Sequence, residues 1–225
     1  MAKKRSIKKI ETRIKDGDLI DQRRGQLAEG AIKVFIAKGF HKATVREIAE
    51  AAGLTMGSMY NYVRSKEDII YIVYTHISDI LRTELNKVID GVEGPRERLK
   101  AALKHNIESI DRYSDMIMFM YQSSGYLDRE SLHEVLGRET EYIEMFESLL
   151  RQSLDGQNYS DFRLKLAADI LAYLPVIVTL RRWSLRRRFK SMDQVLEGIL
   201  EFALHGTEFI RTGRKGRTPM FLIGD

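Results

Sequence analysis

Thr44-Val-Arg-Glu-Ile-Ala-Glu-Ala-Ala-Gly53-Leu-Thr-Met-Gly-Ser-Met-Tyr60-Asn-Tyr-Val-Arg-Ser-Lys66-Glu-Asp-Ile69 is the stretch that decides the fold. Thr44 followed three residues later by Glu47 has the spacing of a capping box, in which each side chain satisfies a backbone amide that the first helical turn leaves without a partner. The helix so opened places Val45, Ile48, Ala49 and Ala52 on one stripe, and Gly53 stops it. Leu54 plugs the corner, and Thr55 caps a second short helix running to about Tyr62. Ser65 then caps a long helix with Glu67 and Asp68 in its first turn, where the helix dipole favours negative charge. Two short amphipathic helices joined by a glycine turn form either a helix-turn-helix or a plain structural corner. The second helix favours the former. Thr55, Met56, Gly57, Ser58, Tyr60, Asn61 and Tyr62 offer small or hydrogen-bonding groups instead of a broad apolar face, and such groups reach base edges and phosphates.

Upstream, a helix fits about Ile20 to Lys38, with Leu27, Ala31, Val34 and Phe35 on one face and Gly39 at its end. Downstream, the helix from Lys66 to Asp90 carries Ile70, Val73, Ile77, Ile80, Leu81, Leu85 and Val88, and Gly91 and Gly94-Pro95 end it. Further helical stretches read as Arg96–Tyr113, Met116–Gln122, Arg129–Leu154, Asp161–Arg182 and Met192–Thr212. The expectation is an all-α fold. It divides into a basic arm over residues 1–18, a helix-turn-helix head over 19–66, a helical ligand-binding and dimerisation domain over 67–212, and a tail over 213–225.

Composition sets the function classes. The chain of 225 residues has 44% hydrophobic and 31% charged residues and no cysteine, which excludes a disulfide framework, a thiolate nucleophile and a cysteine zinc cluster. Its basic N-terminus lacks the apolar stretch of a signal peptide, and no apolar run is long enough to span a bilayer, so a cytoplasmic protein is expected. Residues 1–68 hold 15 Lys and Arg against 9 Asp and Glu, net +6, while residues 69–225 hold 22 against 23, net −1. All of the positive excess sits in the first third, where a polyanion would be met. The histidines His41, His76, His105, His133 and His205 are scattered, and His133-Glu134 lacks the second histidine of a metalloprotease helix. No catalytic residues, metal site or cofactor are expected, and an enzyme is disfavoured.

The segment from Asp21 to Ile80 resembles the DNA-binding region of the TetR family of transcription regulators, through the Thr44–Ile69 stretch and through Ala31, Phe35 and Lys38-Gly39-Phe40 before it. Val63 departs from the family, which usually has Phe there. The resemblance implies that Thr44, Tyr60, Tyr62 and Lys66 contact phosphates, with Arg46 a weaker candidate for the same role or a solvated side chain. It also implies that Thr55, Met56, Gly57, Ser58 and Asn61 line the major groove. Lys3, Lys4, Arg5, Lys8 and Lys9 either follow the DNA or form a solubilising tail. The implied function is a sequence-specific DNA-binding regulator, a repressor released by a small apolar effector such as a fatty acyl-CoA. An activator of the same family and a non-DNA helical interaction module are the other readings.

The implied partners are a double-stranded operator, a small-molecule effector and a second copy of the chain, with no membrane. The resemblance pairs two late helices across a two-fold axis, one with Leu166, Ile170 and Ile177, the other with Met192, Val195, Ile199 and Ala203. Without it they read as core helices. A flexible aromatic cluster marks either a pocket or core packing. Its candidate ligand residues are Asn106, Met116, Phe119, Met120, Tyr121, Tyr142, Phe146 and Tyr173. Pro175 is expected to kink its helix. The arginines between Arg181 and Arg188 either hold ligand phosphates or complement a helix end in water.

Overall fold

The computed structural model describes residues 17–210, and among them the regular elements are helical. The helices are α1 Gly17–Lys42, α2 Val45–Ala51, α3 Met56–Met59, α4 Lys66–Asp90, α5 Pro95–Arg112, α6 Ser114–Ser123, α7 Arg129–Ser153, α8 Asp161–Tyr173, α9 Val176–Arg188 and α10 Met192–Gly206. Two 3-10 turns, Ser124–Tyr126 and Thr207–Ile210, follow α6 and α10. The arm lysines and arginine at positions 3, 4, 5, 8 and 9 and the tail from residue 213 lie outside the described residues.

Local chemistry fixes the helix ends. The Thr44 side chain accepts from the Glu47 amide at 3.2 Å while Glu47 Oε2 accepts from the Thr44 amide at 3.0 Å, so the capping box forms as the spacing predicts. Ser65 and Asp68 form a second reciprocal box at the start of α4. Thr55 Oγ1 accepts from the Ser58 amide at 3.1 Å and starts α3. Gly39, at φ 75° and ψ 162°, breaks the helical path of α1 and redirects Phe40 and His41. A side chain there would be strained by the backbone conformation itself.

Three stretches differ from the pattern-based reading. α3 is a single four-residue turn, and the chain from Tyr60 to Tyr62 is already in turn conformation. The expected helix over 161–182 is two, because Pro175 lacks the amide the ladder needs and α9 restarts behind it. The last helix closes at Gly206 and tightens into the 3-10 turn.

Two cores hold the molecule together. The first gathers Leu27, Ala31 and Phe35 of α1, Ile48 of α2, Met59 of α3 and Ile69 to Ile77 of α4, then continues into the body through Ile117, Phe119, Val135 and Val176. The second joins Leu85, Leu103, Phe146, Leu150, Leu164 and Leu171. Each large side chain fully buried here contributes roughly 1.5–3 kcal/mol relative to exposure. Packing therefore runs straight across residue 66, where the head was expected to end. α4 serves both parts, its first half sealing the head and its second half crossing the body.

Candidate nucleic-acid interface and effector cleft

α2 and α3 form the expected helix-turn-helix, with α1 and α4 behind it. Ile48, Ala49 and Met59 point inward at 1% exposure or less. Opposite them, Thr44, Arg46, Thr55 and Gly57 are exposed, Tyr60 is 57% exposed, and Met56, Ser58 and Asn61 are half-buried. Of these, Met56 also packs against the head core. Lys38 reaches Glu47 at 2.5 Å. Its hydrogen bond, with those from Thr44, holds the Glu47 carboxyl far below the usual range, at about 2.

Two of the expected phosphate ligands sit differently. Tyr62 is 2% exposed and its ring belongs to the head core. Lys66 is turned inward. Its ammonium donates to the carbonyls of Phe40 at 2.7 Å and Ala43 at 3.0 Å, and lies 4.3 Å from the centre of the Phe40 ring. The carbonyls that α1 leaves unpaired at its end attract this cation. In the head without DNA, Tyr62 and Lys66, expected as backbone clamps, are thus engaged in securing the fold.

The body encloses a cleft of about 320 Å³ between α4, α5, α6, α7 and the α8–α9 junction. Of the residues expected to hold a ligand, Met120, Tyr121, Tyr142 and Tyr173 line it. Asn106 lies behind the wall at 0% exposure. Its amide donates to the Ala172 carbonyl at 3.0 Å, and its Oδ1 accepts from the Tyr142 hydroxyl at 3.0 Å, fixing one tyrosine of the lining. The other three are corrected. Phe119 stacks on Phe35 of the head with centroids 4.8 Å apart, Phe146 is fully buried in the second core, and Met116 packs against the first.

Pattern reading missed the opposite walls, which are Tyr74, Ser78 and Leu81 of α4 and Leu132, Val135, Leu136 and Glu139 of α7. The i, i+4, i+7 spacing of Tyr74, Ser78 and Leu81 was the available signal, a stripe mixing hydroxyls into an apolar face. Burial pushes the Tyr74 hydroxyl up to about 12. Burial also raises the Tyr142 and Tyr173 hydroxyls, the latter with help from the neighbouring Glu139 charge. Arg182, in the arginine-rich end of α9, pairs with Asp111 and so braces α5.

Head and body meet through aromatic rings. Phe40 stacks on Tyr126 with centroids 4.3 Å apart, beside the Phe35–Phe119 pair. Among the described residues no group of three or more His, Asp or Glu side chains is placed to hold a metal ion, and no helix is long and apolar enough to cross a membrane.

Residues 27–71 match the family described as bacterial regulatory proteins, tetR family, and residues 92–207 match the tetracyclin repressor-like C-terminal domain. The HTH-type transcriptional regulator HbdR of Aromatoleum sp. (strain CIB) is 26% identical over 200 residues, covering 89% of this chain and 86% of that one. The HTH-type transcriptional repressor KstR2 of Mycobacterium tuberculosis is 26% identical over 153 residues, covering 68% and 75%. A solved TetR/AcrR-family regulator from Thermobifida fusca superposes with a TM-score of 0.66 at 27% identity, covering 82% of this chain and 98% of that one.

Proposed function

The chain belongs to the TetR family of bacterial regulatory proteins, and from that premise we propose that it is a repressor whose dimer grips a two-fold operator and releases it when an apolar effector enters the body cleft. The observation that carries the reading is the outward face of the helix-turn-helix, where Thr55, Gly57 and Tyr60 are exposed and Ser58 and Asn61 partly so on a capped scaffold. Thr55, Met56, Gly57, Ser58 and Asn61 enter the major groove, and Thr44, Arg46 and Tyr60 hold phosphates. A short recognition helix reads few base pairs, so a second copy placed about one DNA turn away supplies the rest of the affinity. The surface for that second copy is the apolar ridge of Leu166, Ile170, Ile177, Leu180 and Trp183 on α8 and α9, all exposed in the single chain.

The effector acts through α4, α6 and the aromatic contact with the head. A ligand that binds one arrangement of these elements better than the other shifts the population by that difference in affinity and no more. The apolar lining accepts an acyl chain, and the repressor KstR2 among the relatives favours release over recruitment. The direct test is fluorescence anisotropy with duplexes selected from random sequence by the full-length protein. Tyr60→Ala or Asn61→Ala is expected to lose roughly 1–3 kcal/mol of specific binding with the melting temperature unchanged. Equal affinity for selected and scrambled duplexes would sink the reading.

A further inference from the structure

The lining of the body cleft is mostly apolar, and of its three carboxyl groups Asp79 and Glu141 lie with the lining arginines, which leaves that of Glu139 on α7. Among the described residues no ion pair reaches Glu139, and Tyr173 lines the same cleft, where its hydroxyl tempers the rise that burial gives the Glu139 carboxyl. Tyr74 from α4 and Tyr121 from α6 lie close enough for its charge to be felt at their hydroxyls. The two arginines of the lining are already neutralised. Arg138 lies 2.8 Å from Asp79 and 3.7 Å from Glu134, and Arg82 lies 2.9 Å from Asp79 and 3.7 Å from Glu141.

These facts constrain what the cleft accepts. A free carboxylate would find both arginines engaged and an acidic group among the remaining polar atoms. An ammonium would lose its water against a mainly apolar wall, at a cost that the one carboxyl group without an arginine partner does not readily offset. Burial also raises the Glu139 carboxyl above the usual carboxylate range. A carboxyl beside a phenol offers both a donor and an acceptor, and so suits an uncharged oxygen of either kind. The volume of about 320 Å³ lies within the range of small-molecule sites.

We propose that Glu139 and Tyr173 are the polar anchor of this cleft, and that its ligand is an apolar body bearing an uncharged oxygen, a hydroxyl or a carbonyl. The inference rests on reading the cleft as the effector site and names the chemistry that site selects.

The test uses three ten-carbon probes, 1-decanol, decanoate and decylammonium, titrated calorimetrically into the full-length protein at neutral pH. 1-Decanol is expected to bind at least about tenfold more tightly than either charged probe, a difference of about 1.4 kcal/mol. Glu139→Gln keeps both a donor and an acceptor and is expected to hold 1-decanol within about threefold, whereas Glu139→Leu weakens it about tenfold. Tyr173→Phe, which keeps the ring, gives an independent loss if the leucine variant fails to fold. Tightest binding of decylammonium together with its loss in Glu139→Gln overturns the proposal in favour of a cation site. Tightest binding of decanoate, unaltered 1-decanol binding in Glu139→Leu or Tyr173→Phe, or binding of none of the probes also overturns it. The titration contains no DNA, so failure here leaves the regulator reading to be decided by duplex binding alone.

Discussion

The hydroxyl of Tyr126, in the turn that closes α6, and Nε2 of His41, just beyond the break in α1, share a hydrogen bond of 2.5 Å across the boundary between body and head. The same short segment supplies Met120, Tyr121 and Ser124 to the cleft wall. A displacement of α6 by a ligand therefore has only a few residues to cross before it reaches the head.

Tyr126→Phe removes this bond and keeps the stack on Phe40. It is expected to cost about 0.5–1.5 kcal/mol in chemical denaturation and to leave operator affinity in the absence of ligand within about twofold, since a change under 0.5 kcal/mol is typical away from a contact. The ligand concentration needed to release DNA should change in the same variant. An unaltered release curve, read by anisotropy, would show that the contact is only structural.

Lys66 gives a prediction that separates holding the fold from holding DNA. With its ammonium on the Phe40 and Ala43 carbonyls, Lys66→Ala should destabilise the head by about 1.5–3 kcal/mol, the range for hydrogen bonds to a charged group. The slope of log affinity against log salt should stay the same, whereas loss of a true phosphate contact lowers it by about 1.

Glu47 is held at about 2 in the folded head, against an ordinary 4.5. A carboxyl whose folded value is depressed stabilises the fold above its unfolded value and loses that stabilisation as pH falls toward the folded one. The cap should therefore weaken between about pH 4.5 and 2. Glu47→Gln should flatten this part of the stability curve in pH-dependent melting. Coincident curves for the two proteins would contradict it.

Gly30 lies where α1 crosses α2, and a Cβ built there meets the Ala52 nitrogen at 2.6 Å and its Cα at 2.8 Å. Helix propensity alone favours Gly30→Ala by about 1 kcal/mol. The clash is with backbone that cannot swing away, so overpacking of about 1–3 kcal/mol should win. A lower denaturation midpoint is expected, with weaker duplex binding as the two helices separate. A raised midpoint would mean that the head repacks freely.

The α8–α9 ridge supplies a test of assembly. Leu180 is 47% exposed in the single chain, so Leu180→Asp should leave the monomer folded while a buried dimer face rejects the charge. Sedimentation should shift from dimer to monomer, with operator affinity falling together. A variant that stays dimeric would move the interface elsewhere.

Much of the head is legible in the sequence because its signals are local. Thr44 with Glu47 acts over three residues and spacing alone specifies it, while Ser65 is legible as a cap though its reciprocal bond with Asp68 is not. The cleft is less legible because it is assembled at long range. Helical periodicity says that Tyr74 and Glu139 lie on particular faces but not that those faces meet. The flexible cluster of α6 therefore revealed one wall, while Phe119 from that cluster turned toward Phe35. Tyr62 and Lys66 illustrate the other limit, since a motif names residues without saying how tertiary packing will occupy them first.

The break at Gly39 brings two separate matters under one rotation. It aims Phe40 and His41 so that Lys66 finds its carbonyls on one side and Tyr126 finds its ring and nitrogen on the other. No variant at position 39 can then disturb the integrity of the head and its conversation with the body independently. Selection acting on either must act on both, and a regulator of this build cannot be tuned for responsiveness at that joint without also retuning its durability.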